Sequence, residues 1–143
     1  DDGTGTAIGY VLATIDAVAF EARCERDWWP ALRERSPLVP GGTRLDDLLI
    51  GLIHDRPTPD PAICARYPSE LHIDLLPAAQ GHGWGRRAMD RVLESLCSAG
   101  SPGVHFGTSA RNVRAVAFYE HLGFERLNPA GEDTLTVEFA LRF

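Results

Sequence analysis

The stretch Gln80-Gly81-His82-Gly83-Trp84-Gly85-Arg86 constrains this chain more than any other. An extended apolar run, Leu71-His72-Ile73-Asp74-Leu75-Leu76, leads into it. Pro77 closes that run, because proline has no N–H to give a strand ladder. A helical pattern leads out, with Ala88, Met89, Val92, Leu93 and Leu96 recurring at three- and four-residue steps. The glycines between them allow a tight turn and bring backbone N–H groups within reach of an anion, and the positive end of the helix favours phosphate. Strand, glycine turn and helix N-terminus predict an anion cradle. A connection that binds nothing is the plainer alternative, but such turns rarely need alternating glycines.

Several phosphate loops share this logic, and the details choose between them. An ATP- or GTP-binding P-loop needs a lysine after its last glycine, and the chain has no lysine at all. A dinucleotide fingerprint needs G-x-G-x-x-G, yet counting from Gly81 puts Arg86 at the third glycine. It also needs an acidic residue about 20 residues on, at the end of the next strand. That strand, Val104-His105-Phe106-Gly107, ends in Thr108-Ser109.

The spacing Gln-x-x-Gly-x-Gly from Gln80 to Gly85 resembles the acyl-CoA pyrophosphate loop of the GNAT N-acetyltransferase superfamily. A second passage, Asn112-Val113-Arg114-Ala115-Val116-Ala117-Phe118-Tyr119-Glu120-His121-Leu122-Gly123-Phe124, is similar to the helix after the superfamily's fifth strand. Two motifs in the right order weigh more than either alone. Gln80 is the sole glutamine and Asn112 one of two asparagines, so a chain poor in amides places them at motif positions. Tyr67-Pro68, the strand from Leu71 to Pro77, Gly9-Tyr10-Val11-Leu12 with Asp16 after it, and Trp28-Trp29-Pro30 resemble a narrower group. This is the acetyltransferase-like C-terminal domain of O-GlcNAcase and its stand-alone bacterial relatives. The resemblance implies the mixed α/β sheet of the GNAT acyl-CoA N-acyltransferase fold.

Composition sets bounds. A length of 143 residues predicts one domain, and 44% apolar content suffices for its core. A net charge of −6 with no basic run argues against nucleic acid or an anionic membrane as partner. No apolar stretch is long enough to span a bilayer, and no signal-peptide pattern is present. Cys24, Cys64 and Cys97 have no metal or redox spacing and are expected to be buried thiols in a reducing cytoplasm. All fourteen basic residues are arginine, a bias that fits a GC-rich bacterial genome.

Asp1-Asp2-Gly3-Thr4-Gly5 is hairpin-turn chemistry running into a strand from Ala7 to Ile15. The resemblance places a strand, two helices and a second strand before this point, so the expectation is a single GNAT-like domain over 1–143 lacking those elements. Asp16 is a candidate N-cap for a helix from Ala17, with Phe20, Cys24, Trp28 and Leu32 as its apolar stripe and Pro30 ending or kinking it. Ser36 to Gly42 reads as a loop and Thr43 to His54 as a helix with Leu45, Leu48, Leu49, Leu52 and Ile53 inward. Asp55 to Pro61 reads as a proline-rich loop. Residues 16 to 67 thus form a helical insertion between the family's third and fourth strands, placed either to shape the acceptor site or merely as structure. A last strand, Thr134 to Phe139, alternates Leu135, Val137 and Phe139 on one face.

The resemblance implies acetyl-CoA as co-substrate and a primary amine, on a small molecule or a peptide lysine, as acceptor. It maps the cofactor contacts onto Gln80, Gly81, His82, Gly83, Trp84, Gly85, Arg86, Asn112, Ala115, Phe118 and Tyr119. It also maps a backbone N–H that polarises the thioester onto Leu75 or Leu76, a donor worth several kcal/mol when aimed at the oxyanion. The departing thiolate, of parent pKa near 8.5, needs a proton. Tyr119 stands where the family's tyrosine acid stands, and it also suits a core aromatic. His72 and Asp74 share one strand face and fit either the base for the amine or a structural pair. His54, His105 and His121 are isolated, and no metal site is expected. Neither a nucleophile elbow nor a Cys–His signature is present. A CoA-binding module without transfer activity is the competing reading, and monomer and homodimer both remain open.

Overall fold

The computed structural model describes residues 3–39, 41–127 and 135–143. Asp1, Asp2, Pro40 and Thr134 lie outside the described residues. The elements are β1 (Gly9–Thr14), α1 (Ala17–Asp27), α2 (Trp29–Arg35), α3 (Arg44–His54), α4 (Pro61–Arg66) and β2 (Ser69–Leu75). Then follow a short 3-10 turn (Pro77–Ala79), α5 (Trp84–Ser98), β3 (Gly103–Ser109), α6 (Val113–His121), β4 (Glu125–Arg126) and β5 (Thr136–Arg142). They build one mixed sheet in the order β1-β2-β3-β5-β4. β2 and β3 are parallel, as a crossover through α5 requires, and the other neighbours are antiparallel.

Local chemistry explains the boundaries. Asp16 Oδ1 accepts from the Ala19 N–H at 2.8 Å and caps α1. Thr43 and Asp46 form a capping box on α3. Asp60 caps α4, with Pro61 at its first position, where the missing N–H costs nothing. Of the expected proline-rich loop only its last residue, Pro61, joins the helix. Pro30 likewise sits in the first turn of α2, so the break in the helix falls at Trp28.

One face of the sheet is covered by α5 and α6. Met89 and Leu96 of α5 and Val116 and Tyr119 of α6 pack on Leu71, Val104, Phe106, Val137 and Phe139. The insertion α1–α4 lies on the other face, held by Ala17 N–H donating to the Pro68 carbonyl at 2.8 Å and by a 2.9 Å bond from Ser69 to the Ile15 carbonyl. Its apolar stripes do not turn inward as the sequence suggests. Phe20, Trp28, Leu45, Leu48, Leu49 and Leu52 are exposed, and α3 packs mainly on α2. Leu135 is exposed too and precedes β5, whereas Val137 and Phe139 are buried as expected. Of the three thiols only Cys64 is buried.

Candidate active site

β2 ends at Leu75, and the chain turns back through the 3-10 segment into the glycine loop. Gln80 Nε2 donates to the Leu75 carbonyl at 2.9 Å, tying the loop to the strand it leaves. Gly81 (φ 80°) and Gly83 (φ 76°) occupy the left-handed region that other residues rarely adopt. Gly83 is the N-cap of α5 and no side chain caps that helix. The first-turn amides of Trp84, Gly85 and Arg86 therefore have no partner within the helix. Gly85 serves closeness instead: a Cβ there would lie 3.2 Å from Leu75 Cδ1 and 3.4 Å from Phe118 Cζ. The arginines point elsewhere. Arg86 pairs with Asp90 at 3.0 Å, and Arg87 lies over the Trp84 ring at 4.4 Å.

The loop stands above a gap. Among the described residues Ser69↔Val104 and Glu70↔His105 are the only parallel pairs, although β2 runs on to Leu75 and β3 to Ser109. The Leu76 N–H is already spent on the Ile8 carbonyl at 2.9 Å, towards β1. Antiparallel ladders alternate, so the Leu75 N–H faces the gap. Of Leu75 and Leu76, Leu75 is the one whose N–H points away from β1.

On the insertion side of β2, His72 Nε2 lies 3.0 Å from Asp74 Oδ2, and Tyr10 Oη donates to the same oxygen at 3.0 Å. The Tyr10 and His72 rings stack at 5.8 Å and 23°. The hydrogen bonds from His72 and then Tyr10 hold the Asp74 carboxyl below its ordinary range, and the bond to Asp74 raises Tyr10 in turn. All three side chains meet solvent. Sequence reading misses Tyr10; its signal is register, since β1 places it opposite Asp74.

Tyr119 sits on the helix side, 7% exposed, in an aromatic cluster with Phe106 (4.5 Å), Phe118, Phe124 and Phe139. Burial, and then the charge of Asp74, raise its pKa, so the phenol keeps its proton. Asn112 is the N-cap of α6: its Oδ1 accepts from the Ala115 N–H at 3.1 Å. Phe118 packs on the glycine loop at Gly85, and His82 is exposed within that loop. The fold thus gathers Leu75, the glycine loop and Phe118 at one end of the gap. His72 and Asp74 stand on the far face and Tyr119 on the near one.

Two cavities flank this centre. One of about 540 Å³ lies between β1 and α5, beside the loop rather than in the gap, and includes Tyr10, Leu75, Trp84 and Arg87. The other, of about 420 Å³, lies between the insertion and the sheet.

An open parallel gap below a glycine-rich helix N-terminus defines an acyltransferase-like architecture. The chain matches the model of the acetyltransferase (GNAT) family over residues 3–124 and belongs to that family. It is 37% identical to mycothiol acetyltransferase of Beutenbergia cavernae over 95 residues, 59% of this chain and 31% of that protein. It is 24% identical to protein O-GlcNAcase of Rattus norvegicus over 118 residues, 80% of this chain and 13% of that protein. It therefore spans less than a third of either relative. The crystal structure of SsHAT superposes with a TM-score of 0.84 at 37% identity, covering 99% of this chain and 69% of that one. No helix among the described residues is long and apolar enough to cross a membrane.

Proposed function

We propose that the protein binds acetyl-CoA and transfers its acetyl group to a primary amine. The observation that carries this is the uncapped glycine turn of α5 opening onto the unpaired stretch of β2 and β3. In this reading the amides of residues 81–86 hold the pyrophosphate and the pantetheine enters the gap. The Leu75 N–H polarises the thioester carbonyl. The amine nitrogen attacks that carbon as the C–S bond breaks. The ammonium proton passes to the His72–Asp74 pair, and Tyr119 returns one to the CoA sulfur.

One observation favours a silent CoA-binding module instead: Tyr119 is packed as a core aromatic, as Asn112 is occupied in capping. A thermal-shift titration with acetyl-CoA, followed by thiol release with small amines and lysine peptides, separates the readings. Stabilisation with turnover supports the transferase, stabilisation alone supports the module, and no stabilisation removes both. The all-arginine composition and the three unpaired cysteines support a bacterial, cytoplasmic setting.

A further inference from the structure

Leu45, Leu48, Leu49 and Leu52 recur along α3 at steps of three, one and three residues. At 3.6 residues per turn they fall on one side of the helix and make a stripe along most of its length. Each is between 40% and 62% exposed. The half-buried residues Ile50, Ile53 and His54 lie round the helix from that stripe. They face the contact with α2, where the Ile53 carbonyl accepts from Arg33 at 3.1 Å and His54 Nε2 lies 2.7 Å from the Ser36 carbonyl oxygen. The stripe therefore points away from the surface that anchors α3. So regular an apolar row left in water marks an interaction surface. Its spacing is that of a helix–helix seam, in which the leucines of one helix fit between those of another.

Charge at the two ends of the helix says which partner fits. Arg44 opens α3 and Asp55 is its C-cap. Both are exposed, and neither side chain has a hydrogen-bond or ion-pair partner among the described residues. Helical periodicity puts the two on the same flank of the leucine stripe, about three turns apart. A second copy of α3, laid antiparallel about a two-fold axis through the middle of the stripe, brings like flanks together. Arg44 of one copy then stands beside Asp55 of the other, and the symmetry repeats the pair at the far end. Helical side chains lean towards their own N-terminus. In this antiparallel arrangement the arginine and the aspartate therefore lean towards each other. A parallel pair would set the two flanks on opposite sides and leave all four charges unmatched.

We propose that α3 is a self-association surface. Two copies of the chain pair through antiparallel α3 helices, leucine stripe against leucine stripe, with an Arg44–Asp55 ion pair between copies at each end. Such a surface is its own complement, so assembly closes at two. Four partly covered leucines per copy lie at the small end of the interface scale, which places association in the micromolar range. The pairing uses no residue of the cofactor gap and stands whether or not the acetylation reading holds.

Sedimentation velocity on the full chain, between about 10 µM and 1 mM, reads the assembly directly. It should show monomer in equilibrium with dimer and nothing larger. Leu48 lies near the two-fold axis, so Leu48→Glu sets two carboxylates close together in an apolar seam. Association should weaken about 100-fold or more, with the circular dichroism spectrum and melting temperature kept because the position is exposed. Arg44→Asp places a carboxylate beside Asp55 of the other copy and should weaken the dimer about tenfold. Adding Asp55→Arg to that variant restores opposite charges and should restore association. This rescue reads the antiparallel register, which unspecific stickiness of the leucines would not reproduce. Monomer at every concentration, species larger than a dimer, a dimer indifferent to Leu48→Glu, or no rescue by the charge exchange would overturn the proposal.

Discussion

β3 has two neighbours and treats them differently. Towards β5 it pairs along its whole length, from Gly103↔Arg142 to Ser109↔Thr136. Towards β2 the pairing stops after two residues. The closed side buries Phe139 and Val137 and gives the molecule its core. The open side leaves strand backbone unpaired beneath the glycine loop, an arrangement a purely structural sheet avoids because unpaired peptide groups are costly. One strand thus carries the core on one edge and, in the proposed reading, the cofactor gap on the other.

The largest expected effect tests the closed side. Phe139 is fully buried, and Phe139→Ala should cost about 3–5 kcal/mol, a large part of the 5–15 kcal/mol that holds a typical domain together. Chemical denaturation measures this. A loss under about 1 kcal/mol, the size of a surface change, would mean that the β3–β5 core collapses around the void and that the two edges differ less than the pairing indicates.

Tyr119 joins the two sides, with its ring in the core and its charge environment touched by Asp74. Tyr119→Phe keeps the ring, so stability should barely change. If the phenol supplies the thiolate's proton, the rate should fall by about 10²–10⁴-fold with acetyl-CoA affinity intact. An unchanged rate would return Tyr119 to the closed side, as packing alone.

Gly85 tests the open side. A side chain there meets Leu75 and Phe118, and such overpacking costs roughly 1–3 kcal/mol. Gly85→Val should weaken acetyl-CoA binding, read by calorimetry, by roughly 10–100-fold. Unaltered affinity would place the pyrophosphate elsewhere.

Much of the open side is legible in the sequence, since glycine spacing, a lone glutamine and an N-cap asparagine are local signals. The parallel direction of β2 and β3 follows from the crossover helix, whereas the point at which their pairing stops does not. What escapes sequence reading depends on distant partners. His105 looks isolated until Tyr67, 38 residues away in sequence, supplies a carbonyl. Tyr10 acquires a role only when register sets it across from Asp74. The leucines of α3 mark an apolar stripe, but periodicity cannot say which surface lies against it.

The smallest effect concerns the Tyr10–Asp74–His72 group, which projects from the open side into solvent. Asp74 is depressed first by His72 and second by Tyr10, so its ionised form is the one the fold favours. Its contribution to stability is present above the ordinary aspartate pKa of about 3.9 and is lost as pH falls through the lower folded value. Tyr10→Phe removes the second hydrogen bond and leaves the first. The Asp74 midpoint should move up but stay below the ordinary value, so the acid-side loss begins at slightly higher pH. The side chain is 68% exposed, and solvent screens exposed pairs strongly. A denaturation curve is therefore too blunt a probe, and the carboxyl carbon shift followed by NMR against pH is the proper one. A midpoint identical in both proteins would show that water outcompetes the Tyr10 hydroxyl. His72 and Asp74 would then be a pair without a third member, and any base role would rest on them alone.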